Sequence, residues 1–144
     1  MVIVSHPNVN QYGRALLAAL EARGELQEFH PTLNFGRRRV ALPHGKIFQH
    51  THLELVRLLG ERLRQNWLVS HDSGLASIDA VARMLDREVA KRVKPGSAIY
   101  CYEDSALTTF CAAQKVGAKR YYELPIMFWT TTQRAQLPEN ISMF

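Results

Sequence analysis

Three short polar clusters stand where apolar runs stop. Ser5-His6-Pro7-Asn8, with Asn10 further on, follows Val2-Ile3-Val4. Glu103-Asp104-Ser105 follows the run through Ile99-Tyr100-Cys101-Tyr102, and Glu123 follows Tyr121-Tyr122 just before Leu124-Pro125-Ile126. Carboxylates, an imidazole and amides of this kind accept and donate hydrogen bonds to a bound hydroxyl, and when fixed in place they stabilise charge developing on it. Helices are expected directly after the first two clusters, and their free N–H groups favour an anionic ligand. Each residue also has a plain structural role open to it. Asp104 or Ser105 can cap a helix, Glu103 can be a solvated strand end, Glu123 can pair with a Lys or Arg, and His6 can bond to backbone in a turn.

The elements that must position these clusters follow from period and punctuation. Val2-Ile3-Val4 reads as a first strand. A helix is expected over 10–23, with Tyr12, Leu16, Ala19 and Leu20 on one face and Gly24 as its stop. A second strand is expected within 26–33, where Pro31 favours an edge position or an early end. Residues 34–50 read as a loop with a short helical turn. A helix over 51–66 carries Val56, Leu59 and Leu63 on one stripe, widened by Leu55 and Leu58. The strongest helix covers 77–93, with Ile78, Val81, Ala82, Leu85, Val89 and Val93 as its apolar stripe and Glu88–Arg92 as an i,i+4 pair. Lys94-Pro95-Gly96 ends it. A buried strand over 98–102, a helix burying Leu107, Phe110 and Cys111, and a buried strand over 119–124 complete the pattern. Residues 130–144 form a tail without a clear pattern.

Strands alternating with helices imply an α/β fold with a small, mostly parallel sheet of about four strands and helices on both faces. All three polar clusters then lie on the carboxyl edge, where such sheets bind ligands. The length of 144 residues suits one domain.

Other chemistries have less behind them. Neither a G-x-G-x-x-G nor a G-x-x-x-x-G-K-[ST] motif occurs, which disfavours dinucleotide binding through the first turn and a P-loop. His44, His50 and His52 lack cysteine or acidic partners at ligand spacing, so no metal is expected. His71-Asp72-Ser73-Gly74 reads as a turn, because adjacent residues cannot supply nucleophile–base–orienter geometry. The net charge of +5 includes one tight basic run, Arg37-Arg38-Arg39. It reads as a solvated loop, permits contact with anionic lipid or a phosphorylated substrate, and is a thin basis for nucleic-acid binding. No nucleic-acid partner is expected. No apolar run reaches the ~18–20 residues of a membrane span, no basic leader precedes the first strand, and Cys101 and Cys111 read as reduced thiols, so a cytoplasmic protein is expected.

The segment from about 66 to 129 resembles the N-terminal domain of bacterial family 4-like (GT-B) glycosyltransferases. The resemblance is carried by Ser77-Ile78-Asp79-Ala80-Val81, Leu85-Asp86, Tyr100-Cys101-Tyr102-Glu103-Asp104-Ser105-Ala106-Leu107 and Tyr122-Glu123-Leu124-Pro125-Ile126-Met127-Phe128-Trp129. Ser5-His6-Pro7-Asn8 with Asn10 and Arg14 is similar too, and about 34–65 matches poorly. The resemblance implies a single Rossmann-like three-layer domain over 1–144, half of a GT-B fold. It would form the acceptor side of a retaining glycosyltransferase whose nucleotide-sugar donor is held mainly by a second half. His6, Asn8, Asn10, Tyr102, Glu103, Asp104 and Glu123 would line the acceptor cleft. Tyr102 stands where many relatives place a histidine. The donor-site motif of the second half is absent from the sequence, so the chain is expected to be incomplete alone, with weak or undetectable nucleotide-sugar binding and no cofactor of its own. Its expected partners are a C-terminal half, or a second copy through Met127, Phe128 and Trp129, with peripheral contact at the inner membrane face also implied. The alternative is a non-catalytic binding or interaction module.

Overall fold

In the computed structural model, residues 1–71 and 73–124 are described. Strands β1 (Val2–Ser5), β2 (Leu26–His30), β3 (Ala98–Tyr102) and β4 (Lys119–Glu123) form one sheet in the order β2-β1-β3-β4. Every pairing is parallel. Five helices accompany it: α1 (Gln11–Ala22), α2 (Thr51–Arg62), the single turn α3 (Asn66–Val69), α4 (Ile78–Ala90) and α5 (Leu107–Lys115). Two 3-10 turns, Gly36–Arg38 and His44–Lys46, punctuate the segment after β2.

The sheet separates two cores. On one face Val4, Phe29 and Leu26 pack with Leu17 of α1 and with Val40 from the loop. On the other, Ile3, Ile99 and Cys101 pack with Leu85 and Val89 of α4 and Ala113 of α5. This is a three-layer Rossmann-like α/β domain. The unit β1-α1-β2 steps one way across the sheet and β3-α5-β4 steps the other, with their helices on opposite faces, so both crossovers have the same hand. The chain therefore diverges between β1 and β3, which is the switch point at whose carboxyl edge ligands bind in open α/β sheets.

Several helices sit rotated from the face their apolar residues suggest, and polar anchors account for it. In α1 the buried residues are Gly13 and Leu17, while Tyr12 and Ala19 face solvent. The Asn10 side chain caps this helix by accepting the Gly13 N–H at 2.8 Å. In α2 the expected stripe of Leu55, Val56, Leu59 and Leu63 is exposed, and Glu54 and Gly60 are buried instead. Glu54 is held inward by two arginines, and Gly60 lies so close to α3 that a Cβ there would meet Val69 Cγ1 at 2.8 Å. In α4, Ser77 caps the Ala80 N–H and Val81, Ala82, Leu85 and Val89 are buried as expected, but Ile78 is exposed. Glu88 pairs with Lys91, leaving Arg92 to Glu28.

Helix α5 departs most from expectation. Leu107 is 79% exposed and Cys111 is exposed, while Thr109 and Ala113 are buried and Phe110 is half-buried. Neither Asp104 nor Ser105 caps it. The buried Asp86 of α4 does so from another element: its Oδ2 accepts the Thr108 N–H at 2.6 Å and its Oδ1 the Thr109 N–H at 2.8 Å. The Thr109 hydroxyl returns a bond to the Asp86 carbonyl at 2.9 Å. Three bonds across two helices set the rotation of α5. Strand β4 is also less covered than expected. Tyr121 and Tyr122 are each about half exposed, because β4 is the sheet's edge among the described residues and only α5 packs beside it. Lys119 and Arg120 are of the charged type that discourages edge pairing. Cys101 is a buried free thiol, pushed up by burial and by Asp86, and Cys111 is free as well.

Candidate functional site

The seven residues expected to line a cleft all sit on the carboxyl edge, where the structure sorts them into two adjoining groups. The first surrounds Glu123, the last residue of β4. The Tyr100 hydroxyl donates to its Oε2 at 2.9 Å, Asn10 Nδ2 donates to its Oε1 at 3.0 Å, and His6 Nε2 stands 3.5 Å from Oε2. Among the described residues Glu123 is thus held by a tyrosine and an amide, with the imidazole beside it, and not by a Lys or Arg. Asn10 serves two elements at once, with its oxygen on the first turn of α1 and its nitrogen on the end of β4.

His6 lies at the switch point itself. Its ring is 1% exposed and packs against Tyr102 of β3, with centroids 4.2 Å apart. A Cβ on Gly13 would come within 3.2 Å of His6 Cδ2, so glycine there leaves room for the ring under the first turn of α1. Its backbone N–H donates to the His30 carbonyl, but neither ring nitrogen has a hydrogen-bond partner among the described residues. Ser5 Oγ is likewise buried without one. Burial lowers the His6 pKa, and the Glu123 charge opposes that without cancelling it. The imidazole is therefore held neutral near pH 7, with a lone pair on one ring nitrogen. Burial and the bond to Glu123 push the Tyr100 hydroxyl up to about 12. It serves as a donor, not as a base.

The second group lines a cleft of about 260 Å³ beside Tyr102. It is lined by Asn8, Glu103, Asp104 and Asp79 from the N-terminal turn of α4, and by Arg38 and Arg57. Asp104 has φ of 65°, a conformation Asp tolerates better than most side chains, and forms the turn that ends β3. Glu103 is tied to β4 by its N–H, which donates to the Glu123 carbonyl. Glu54, which also lines the cleft, accepts from Arg57 Nε at 2.7 Å and Nη2 at 2.8 Å, and from Arg38 Nη1 at 3.1 Å. Burial works to raise the Glu54 pKa, but its bonds to Arg57 and Arg38 outweigh this and hold it low.

Tyr102 joins the two groups. Its ring packs, tilted by 33°, against His6 of the first, and it lines the cleft of the second. Burial, then Glu103, Glu123 and Asp104, raise its hydroxyl pKa. The arrangement offers a neutral imidazole beside a fixed carboxylate, and next to it a cleft lined by acidic and basic side chains. Such groups can bind and orient a polyhydroxylated molecule.

Sequence patterning does not mark Tyr100, Glu54, Arg57, Asp79 and Arg38 as site residues. The Tyr100–Tyr102 spacing was the available signal, since residues two apart on a strand share a face. Arg38 sat inside the basic run read as solvated. Arg37 and Arg39 are indeed exposed, but Arg14 binds their carbonyls at 3.0 and 2.6 Å and so fixes the turn that presents Arg38. Among the described residues no group of three His, Cys, Asp or Glu is placed to hold a metal ion. No described helix is long and apolar enough to cross a membrane. Met127, Phe128 and Trp129 lie outside the described residues. Compared with protein-family models, curated proteins and solved structures, the chain matches none.

Proposed function

We propose that this domain is the acceptor side of a retaining glycosyltransferase, working with a second Rossmann-like unit that holds the nucleotide sugar. The observation that carries this reading is the cleft at the β1/β3 switch point, whose walls are carboxylates, an amide and guanidinium groups around an aromatic ring. Sugar hydroxyls are donors and acceptors at once, and such a lining satisfies both roles. In this reading Asn8, Glu103 and Asp104 hold the acceptor. Tyr102 packs against it. His6 and Glu123 sit behind Tyr102, where the ring contact and the bonds on Glu123 hold Tyr102 and the end of β4 in place. The nucleotide sugar belongs to the partner unit.

The test is a titration of isotopically labelled protein followed by amide shifts. Saccharides are expected to perturb Asn8, Tyr102, Glu103 and Asp104, while a nucleotide sugar at the same concentration leaves them in place. Tight nucleotide-sugar binding by this domain, with no response to any saccharide, would remove the acceptor-side assignment.

A non-catalytic interaction module is the second reading. It is favoured by the exposed apolar face of α2, where Leu55, Val56, Leu59 and Leu63 face solvent. Patches of this kind mark contacts with partners or with a second copy. Light scattering distinguishes it: self-association that Leu59→Lys abolishes supports the module, and a monomer unchanged by Leu59→Lys counts against it.

A further inference from the structure

We propose that the ligand of the cleft is an anionic saccharide, a sugar bearing a phosphate or carboxylate, with Arg38 taking the anionic group. The inference rests on the acceptor-side reading and narrows its substrate class. Its basis is the difference between the two arginines that line the cleft. Arg57 is committed to protein: Nε and Nη2 bind Glu54, and Nη1 binds Glu61. Arg38 gives only Nη1 to Glu54, and its side chain is one-third exposed on the cleft. Its Nε and second Nη have no partner among the described residues. A guanidinium fixed at one nitrogen and open at the others is a preorganised fork for phosphate or carboxylate.

Arg38 is not positioned by chance. Arg14 of α1 clamps the carbonyls on either side of it, and the buried Glu54 holds its head group. Glu54 already accepts three of the roughly four hydrogen bonds a carboxylate can take, which holds Arg38 in place and leaves Glu54 little capacity for a ligand. The same cleft is lined by Asp79, Glu103 and Asp104. Three carboxylates repel a bare anion but accept hydrogen bonds from hydroxyls. A ligand with an anionic end and a hydroxyl-rich end satisfies both kinds of lining group; neutral sugar or inorganic phosphate satisfies one. The cleft volume, about 260 Å³, lies just under the usual range for small-molecule pockets and suits a ligand of one sugar ring with its substituent.

The experiment is calorimetric titration of the 144-residue chain with glucose 1-phosphate, glucose and inorganic phosphate at constant ionic strength. Glucose 1-phosphate is expected to bind at least ~10-fold tighter than either of the others, a difference of about 1.4 kcal/mol. Arg38→Ala should erase that preference, and Arg38→Lys should keep part of it as a point charge without the fork. Circular dichroism shows whether each variant is folded. Glu103→Gln, which leaves the two arginines intact, should narrow the gap between glucose 1-phosphate and inorganic phosphate. Equal affinity for glucose and glucose 1-phosphate would overturn the proposal, as would a preference that survives Arg38→Ala in the folded variant. A second arm offers phosphatidylinositol in phosphatidylcholine vesicles. Arg38-dependent co-sedimentation assigns the anionic group to a lipid headgroup, and binding in solution alone assigns it to a soluble sugar. Arg38-dependent binding without sugar transfer in the presence of a donor unit leaves this inference standing and removes the transferase reading. Transfer to neutral sugars that Arg38→Ala leaves unchanged does the reverse.

Discussion

The Tyr100 hydroxyl reaches diagonally across two strands to Glu123 Oε2, 2.9 Å away, although its register partner on β4 is Tyr121. The bond ties the middle of β3 to the tip of the edge strand and orients the carboxylate on which Asn10 and His6 converge. Removing the hydroxyl in Tyr100→Phe takes away a hydrogen bond to a charged group, worth about 1.5–3 kcal/mol. Denaturant unfolding should show that loss. Ultraviolet titration of the wild type should show one tyrosine ionising only at about pH 12, absent from the variant. A Tyr100 that ionises near the usual 10 would contradict the bond.

Asn10 gives a prediction that helix capping alone does not. Asp and Asn are both strong N-caps and Ser is close behind, so capping alone ranks Asn10→Asp and Asn10→Ser near the wild type. The bond from Nδ2 to Glu123 changes the order. Asn10→Ser keeps the cap and loses the tie to β4. Asn10→Asp keeps the cap and sets a second carboxylate against Glu123. The expected stability at pH 7 is wild type, then Asn10→Ser, then Asn10→Asp, with the Asp variant regaining stability as pH falls through the carboxylate range. Equal stability of the Asp variant and the wild type at pH 7 would refute the tie.

Asp86 holds the start of α5 from α4. Because its carboxylate is buried and accepts two backbone N–H groups, Asp86→Ala leaves both donors orphaned. A loss of about 2–4 kcal/mol is expected. Asp86→Asn retains one acceptor oxygen and should lose roughly half as much. Thermal melts of both variants, with amide exchange at Thr108 and Thr109, check the order. Unchanged exchange at these two amides in Asp86→Ala would show that the cap lies elsewhere.

Acid sensitivity should originate at β2. The His30 pKa is lowered from 6.5 to about 4, mainly by burial, which His50 and Arg92 reinforce and Glu28 opposes. His30 Nε2 lies 3.0 Å from Glu28 Oε2, His30 Nδ1 lies 3.0 Å from His50 Nε2, and Arg92 binds the same Glu28 oxygen while lying over Phe48. A histidine whose folded pKa is depressed contributes stability that is present above its unfolded pKa and lost as pH falls. The window here runs from about 6.5 down to about 4, and the loss from His30 alone is at most about 3 kcal/mol. Glu28 and His50 are lowered too, which gives the same sign. Stability measured by urea unfolding should fall across this window and fall less steeply in His30→Gln. A flat profile between pH 6.5 and 4 would contradict the assignment.

The sheet and its carboxyl edge were legible in the sequence because short apolar runs, Gly24, the Pro95-Gly96 pair and Gly117 punctuate it plainly. Strand β3 was readable from end to end, and Pro31 marked the early end of β2 at His30. Helix rotation was not legible. In α1, α2 and α5 a polar anchor outweighs the apolar stripe: Asn10 with Gly13, Glu54 with two arginines, Asp86 with Thr108 and Thr109. Glu54 packs a charge inward and Asp86 reaches α5 from another helix, and periodicity carries no trace of either; the Asn10 cap is local, but Nδ2 also ties it to Glu123, 113 residues on. The same holds for the site. His6, Asn8, Asn10, Tyr102, Glu103, Asp104 and Glu123 were identifiable as residues that follow strands. Tyr100 and Arg38 reach the site only through a cross-strand diagonal and a clamped loop.

The proposed acceptor role is tested most directly by sugar transfer. The 144-residue chain is combined with a donor-binding unit of a bacterial retaining glycosyltransferase, and radiolabelled sugar moving from a nucleotide sugar to a saccharide acceptor is measured. Transfer that needs both units, and that falls at least ~10-fold when Asp104→Ala alters the cleft in a folded chain, is the predicted result. Absence of transfer with every donor unit that is active beside its own acceptor half would contradict the account.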